Sequence, residues 1–292
     1  MVASAKMLTP QCFKSDMKPI WCPGCGDFGV LSSITRALSE SGLGREEVAV
    51  VSGIGCSSRT PAYLSVYGFH AVHGRALTVA TGLKIARPEL TVLVATGDGD
   101  GFSIGGNHFL HACRRDTDLT YIVMDNQVYG MTKGQASPTT DPEWEQGKLT
   151  PGGTGMNPFQ PLVIALASGA TFVARCSSGD LQGTADTITA AMRHPGFAFI
   201  QVLSPCITFR PEQRGWRKLA RPAPVDATDD AAQAARRLLT DDSFFTGILY
   251  RNPRRSVQPA AHVRKVRPNE LSAAFQVGDR DPHVRLQQPA IV

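Results

Sequence analysis

Four runs in this chain are almost bare of polar side chains, and each ends on a glycine or a short polar residue: EVAVVSG (47–53), LTVLVATG (90–97), LTYIVMDN (119–126) and FAFIQVLS (197–204). Runs of this length are strands buried on both faces. Helical patterns lie between them. The apolar residues Phe28, Leu31, Ile34 and Leu38 recur at helical spacing after Asp27, which is placed to cap, and Gly42 and Gly44 stop the pattern. Residues 75–88 read as a helix ended by Pro88, 107–115 as a short helix, 161–169 as a helix closed by Gly169, and Leu181, Ala185, Ile188 and Met192 as one face of another. ATFVARC (170–176) adds a strand. Fully apolar strands alternating with helices imply an α/β domain with a mostly parallel sheet covered by helices on both faces. We place that domain at 1–210. Residues 211–292, where the pattern weakens, read as a C-terminal arm with short helices near 226–239 and 268–276, packed on the domain or on a partner.

Composition narrows the classes. The 292 residues are 42% hydrophobic and 19% charged, ordinary for a globular chain with one large core or two smaller ones. No stretch reaches the ~18 apolar residues of a membrane span, and residues 1–20 have no secretory pattern, so a cytoplasmic location is expected. A net charge of +5 does not suggest nucleic acid. Seven cysteines in such a chain point to buried, catalytic or metal-bound thiols rather than disulfides. Residues 132–158 are polar and rich in Gly and Pro, long enough to be either functional or disordered. Arg251, Arg254, Arg255, Arg264, Lys265 and Arg267 form a basic stretch that could be solvated, pack on a partner subunit, or dock an acidic carrier or the phosphates of a cosubstrate.

In a parallel sheet, the loops after the strands share one edge, where ligands bind. Cys56 follows one strand and Cys206 another, and Cys22 and Cys25 form a C-P-G-C loop. Four thiols meeting there suit an iron–sulfur cluster or a zinc ion, and unbound thiols stay open. A redox disulfide in C-P-G-C fits poorly, since no strand precedes Cys22. Cys12, Cys113 and Cys176 lack such a context; the last two read as small buried hydrophobes. Asp98 and Asn126 each follow an apolar strand and so stand side by side on the same edge. A carboxylate and an amide oxygen beside glycines suit magnesium and the diphosphate that travels with it.

Gly97-Asp98-Gly99, with Asn126 after 26 intervening residues, resembles the thiamine diphosphate fingerprint. WCPGCG, GIGCSSR, HGRALTVATGLK, GDGDGFSIGGNH and DNQVYGMTKGQASPTT together resemble the β subunit of 2-oxoacid:ferredoxin oxidoreductases, over roughly residues 18–212. The resemblance implies a thiamine diphosphate-binding fold, with Cys22, Cys25, Cys56 and Cys206 as ligands of one [4Fe–4S] cluster. It implies Asp98, Asn126 and the Val128 carbonyl as magnesium ligands, and Gly55, Ser57, Gly74, Gly97, Gly99, Asp100, Tyr129 and Gly130 around the coenzyme. His73 would lie near the diphosphate or the reacting centre, or else be a histidine bonded to a loop carbonyl. Arg59 would grip a substrate carboxylate, or else be a surface or interface arginine. Met131 would help wall the site, and Lys133 and Gln135 would meet coenzyme A or substrate or lie on a plain solvated loop.

The implied reaction is oxidative decarboxylation of a 2-oxoacid to an acyl-coenzyme A. The thiamine ring accepts the electrons, and a neighbouring cluster passes them singly to ferredoxin. Arg59 and GQASPTT resemble enzymes for 2-oxoglutarate or a broad range of 2-oxoacids, and pyruvate stays open. An obligate α subunit would supply the glutamate that sets the pyrimidine tautomer, as two α/β pairs. A thiamine carboligase with a structural zinc and a zinc-stapled scaffold remain the rival readings.

Overall fold

The computed structural model describes residues 8–147, 149–240 and 244–252. All of them fall in one compact unit, Met1–Gln258. The basic positions Arg254, Arg255, Arg264, Lys265 and Arg267, and the helix expected near 268–276, lie outside the described residues.

Helix α1 (Asp27–Ser41) opens the α/β pattern and ends where Gly42 turns left-handed at φ 78°. Strand β1 (Val48–Ser52) is buried along its whole length. Strand β2 (Tyr67–His70) follows, exposed at every residue. Helix α2 (Ala76–Ala86) stops before Pro88 and leads into β3 (Thr91–Gly97). The short α3 (Asp98–Phe102) springs directly from the end of that strand, ahead of α4 (Gly106–Arg115) and β4 (Leu119–Asp125). After the long loop come α5 (Pro161–Ala167), with proline in its first turn, β5 (Phe172–Ser177), α6 (Leu181–Met192) and β6 (Phe197–Leu203). Asp180 caps α6 by accepting the Gly183 N–H at 3.0 Å. The last described elements are α7 (Trp216–Leu219), β7 (Arg221–Pro222), α8 (Ala231–Thr240) and β8 (Phe245–Arg251).

The strands form one eight-stranded sheet in the order β2-β1-β3-β4-β6-β5-β8-β7. From β2 to β5 every pairing is parallel; β8 joins β5 antiparallel. One face is covered by α2, α4, α5 and α8, whose Leu77, Phe109, Leu162 and Leu238 pack with Tyr121 and Phe199. The other is covered by α1 and α6, through Ile34, Leu38 and Ile188. Burying a side chain such as Phe199 stabilises the sheet by about 2–3 kcal/mol. Cys113 and Cys176 are buried among these apolar groups, as their sequence context suggests.

Three details differ from the sequence expectation. Asp27 does not cap α1: the cap position is Gly26, and Asp27 is the first helical residue, its carboxylate accepting from the Ser204 hydroxyl at 2.7 Å. Phe28 turns outward, and Val30 takes its place on the buried face. The sheet also runs past residue 210, because β8 extends it beyond β5. Strands β5 and β6 carry long polar side chains into the interior. Arg175 and Gln201 face each other across β5 and β6, joined Nε to Oε1 at 3.1 Å, which makes both tolerable in the core.

Candidate active site and cysteine cluster

The ends of β1, β3, β4 and β6 lie together at one edge of the sheet, and a cavity of about 380 Å³ opens there. Gly97, Asp98 and Gly99 from β3–α3 form its floor with Asn126 and Val128 from the loop after β4. Gly55, Cys56 and Ser57 wall it on the β1 side, and Tyr129, Gly130 and Met131 on the other. His73, Asp100 and Gln135 complete the lining. The structure therefore brings most of the sequence-derived candidates into one cleft. Met131 is partly exposed at its mouth. Lys133 is not among the lining residues; its backbone is left-handed at φ 84°.

Glycine is sterically required on the floor. A Cβ on Gly99 would stand 2.3 Å from the Tyr129 ring, whose hydroxyl donates to the Gly99 carbonyl at 3.0 Å. Close backbone approach of this kind leaves room for a diphosphate.

Asp98 is buried and held from the long loop, where the Ser137 hydroxyl and the Thr139 hydroxyl (2.9 Å) both reach its Oδ2. Thr139 also meets Asp125 Oδ1 at 2.8 Å, and Gln201 donates to Asp125 Oδ2 at 2.7 Å. Burial, and then the neighbouring Asp125 carboxylate, push Asp98 up to about 7. Two buried carboxylates side by side are costly, and a divalent cation relieves them. The donor set thus fits magnesium. The loop of residues 132–158 is folded where described, and its hydroxyls are part of the site.

Asp100 organises the opposite wall. Its Oδ1 accepts the Ile54 N–H at 3.0 Å, the Gly74 N–H at 2.8 Å and His73 Nδ1 at 2.7 Å. The His73 partner is a carboxylate, not a loop carbonyl. With Nδ1 engaged there, Nε2 is the nitrogen left for the cavity. Gly74 adopts φ 69° and lies against Gly105, so a side chain there would collide.

The four candidate thiols come together beside this cavity. A Cβ on Gly130 would lie 3.5 Å from the Cys206 sulfur and 3.9 Å from the Cys56 sulfur. The C-P-G-C loop is tied to the Cys206 loop by the Gly26 N–H donating to the Pro205 carbonyl at 3.1 Å. It is tied to the Cys56 loop by the Trp21 indole N–H donating to the Cys56 carbonyl at 2.8 Å. Burial pushes the Cys25 thiol up, helped by Asp27 and by the sulfurs of Cys206 and Cys56. Cys56 rises to about 11 through burial, then Asp27, then Cys206 and Cys22. Cys25, Cys56 and Cys206 thus sit within electrostatic reach of neighbouring sulfurs, and burial favours their neutral thiol form when no metal is bound. Among the described residues, no group of three or more His, Cys, Asp or Glu is set to hold a single metal ion. A four-iron cluster makes a different demand, since each thiolate binds its own iron.

Arg59 is not among the cavity's lining residues; its Nε donates to the Tyr63 hydroxyl at 3.1 Å, which also accepts the Ile20 N–H. Trp21 packs edge-on to Tyr63, with centroids 4.8 Å apart. Sequence reasoning missed Ser137, Thr139, Asp125 and Trp21. Each lay inside or beside a quoted motif, Trp21 in WCPGCG, Asp125 at the head of DNQVYG and Ser137 and Thr139 in GQASPTT, but none was given a role.

Comparison with known proteins agrees with this geometry. Residues 53–202 match the thiamine pyrophosphate enzyme, C-terminal TPP binding domain. The chain is 49% identical over 200 residues to the 2-oxoglutarate oxidoreductase subunit KorB of Mycobacterium tuberculosis, covering 68% of this chain and 52% of that one, about half its length. It is 41% identical over 268 residues to the β subunit of 2-oxoacid:ferredoxin oxidoreductase 2 of Aeropyrum pernix, covering 87% of this chain and 86% of that one. Among solved structures it resembles the 2-oxoglutarate:ferredoxin oxidoreductase from Magnetococcus marinus with 2-oxoglutarate, coenzyme A and succinyl-CoA bound. That match has TM-score 0.82 and 43% identity, over 86% of this chain and 87% of the other. Fold, floor of the cavity and relatives converge, and the chain belongs to the β subunits of the 2-oxoacid:ferredoxin oxidoreductases.

Proposed function

We propose that this chain is the thiamine-binding half of an enzyme that oxidatively decarboxylates a 2-oxoacid and delivers its electrons to ferredoxin. One observation carries the reading: Gly130 lines the coenzyme cavity and lies against the Cys56 and Cys206 sulfurs, so the two candidate centres share a wall. Asp98, Asn126 and the Val128 carbonyl would hold magnesium, and Gly97 and Gly99 admit the diphosphate. Cys22, Cys25, Cys56 and Cys206 would hold one [4Fe–4S] cluster. When bound, the coenzyme would stabilise the electron pair left on the substrate carbon as carbon dioxide departs, and the cluster would remove electrons singly. His73, fixed by Asp100, presents Nε2 to the reacting region. Gly55, Ser57, Tyr129 and Met131 shape the surrounding wall. Coenzyme A accepts the acyl group.

An α subunit completes the site with the glutamate that sets the pyrimidine tautomer, in an assembly of two α/β pairs. A reducing cytoplasm, which keeps the thiols available, is the setting we assign. No helix among the described residues is long and apolar enough to cross a membrane. Residues 211–292 we regard as an extension whose first part joins the sheet through β8.

For the substrate we favour 2-oxoglutarate. Arg59 does not line the cavity, but it lies close enough to Cys56 to act on its thiol electrostatically, and its guanidinium would grip a second substrate carboxylate. The test has two parts. Anaerobically purified α/β complex should be brown, with visible absorbance that bleaches on reduction; colourless protein with stoichiometric zinc defeats the electron-transfer reading. Coenzyme A-dependent viologen reduction should then be fastest with 2-oxoglutarate among 2-oxoglutarate, pyruvate and a branched-chain 2-oxoacid. A large preference for pyruvate defeats the Arg59 assignment.

A further inference from the structure

Gln213 is fully buried in the turn Pro211–Gly215, downstream of every residue discussed above for chemistry. Its side chain makes two hydrogen bonds in opposite directions. Oε1 accepts the backbone N–H of Cys206 at 2.8 Å, and Nε2 donates to the backbone carbonyl of Asn126 at 2.8 Å. One amide therefore clasps the loop of a cluster thiol and the loop of a magnesium ligand. Those residues are joined through space, not through sequence.

Both ends matter for chemistry. On the Asn126 side, the clasped carbonyl sets the peptide plane leading into Gln127, which is left-handed at φ 55°. That unusual turn orients the Asn126 side chain and the Val128 carbonyl; the Val128 N–H donates to Asn126 Oδ1 at 3.1 Å. A left-handed non-glycine residue persists only where its surroundings impose it. On the Cys206 side, fixing the cysteine's own N–H shapes the turn that follows. There the Arg210 N–H donates to the Cys206 carbonyl at 2.8 Å, and the N–H groups of Phe209 and Thr208 approach the sulfur. Hydrogen bonds to cluster sulfurs are one of the determinants of reduction potential.

We propose that Gln213 is a positioning residue shared by the two centres, a strut that sets the magnesium-loop geometry and the cluster's hydrogen-bonded environment together. The proposal rests on the cofactor assignment above. It adds that one residue outside both ligand sets controls them jointly. The magnesium effect follows from the loss of one buried hydrogen bond and the strain behind it, about fivefold in affinity or more.

The experiment uses the α/β complex purified without oxygen, in wild-type form and as Gln213→Met and Gln213→Glu. Two quantities are read independently of turnover: the magnesium concentration that half-saturates thiamine diphosphate binding, and the midpoint potential and EPR spectrum of the cluster. Methionine keeps the length and loses both hydrogen bonds. Q213M should raise the magnesium requirement about fivefold or more and shift the cluster's potential and spectrum. A shift in only one quantity, or in neither, overturns the shared role. Should Q213M fail to accumulate, Q213E decides. A carboxylate still accepts the Cys206 N–H but cannot donate to Asn126, so the magnesium requirement should rise while the EPR line shape stays as in wild type. An unchanged magnesium requirement in Q213E overturns the proposal. Wild-type complex without cluster or magnesium-dependent coenzyme binding would instead bring down the cofactor assignment itself.

Discussion

His73 Nδ1 and Asp100 Oδ1 stand 2.7 Å apart, yet only one of the two residues is structurally indispensable. The His73 side chain is 42% exposed and Asp100 is 1% exposed. The same Asp100 oxygen also satisfies two backbone N–H groups, those of Ile54 and Gly74. Asp100→Ala leaves both donors without their acceptor, at a cost of about 2 kcal/mol. The melting temperature of the complex should fall by roughly 4–8 °C. His73→Ala should leave it within roughly 2 °C of wild type while slowing turnover. Equal destabilisation by the two substitutions would contradict the division of labour.

The floor of the cavity admits no side chain. Gly99→Ala drives a Cβ into the Tyr129 ring and should abolish thiamine diphosphate binding in an isothermal titration. Gly82 is a control within the same fold, since a Cβ there meets nothing within 4 Å. It lies exposed in α2, where Gly82→Ala should stabilise by about 0.5–1 kcal/mol and leave coenzyme binding untouched. Coenzyme binding by Gly99→Ala at wild-type affinity would refute the steric argument.

Thr139 spans Asp98 and Asp125 with a single hydroxyl. Thr139→Val preserves shape and removes the contact to both. The loss of a hydrogen bond to charged partners costs about 1.5–3 kcal/mol, so the magnesium needed for half-maximal coenzyme binding should rise roughly tenfold or more. Binding curves that superimpose on wild type would show that Asp98 is positioned by other groups.

His194 couples stability to pH far from the site. It is buried at the opposite edge of the sheet, its Nε2 2.7 Å from the Thr171 hydroxyl. Burial, reinforced by Arg251 nearby, lowers it to about 4 from 6.5. Above pH 6.5 it is neutral in both states and contributes its full stabilisation. Below that the unfolded chain takes up a proton the folded chain refuses, so stability declines toward pH 4, by up to about 3 kcal/mol. Denaturation of His194→Gln should show a shallower slope across that interval; an identical slope would remove His194 from the account.

The parts legible in the sequence were those with a periodic signal. Strands β1, β3, β4, β5 and β6 are apolar runs because both their faces are covered, and Asp98 and Asn126 stood out because each closes such a run. Strand β2 gave no signal, since Tyr67, Gly68, Phe69 and His70 are all exposed and no face imposes a pattern. Strand β8 was hidden because Gly247 interrupts it and its burial is incomplete. Ser137 and Thr139 lie about forty residues beyond Asp98 in a stretch whose composition reads only as loop. Gln213 sits among charged neighbours, and only the folded chain shows what its amide joins.

Strand β2 pairs with β1 on one side, and among the described residues nothing pairs with the other. Its rim offers open backbone donors and acceptors next to the bare rings of Tyr67 and Phe69. Such a rim is a template on which a further strand can pair. At four residues the rim is short, which limits the ladder any newcomer can build on it.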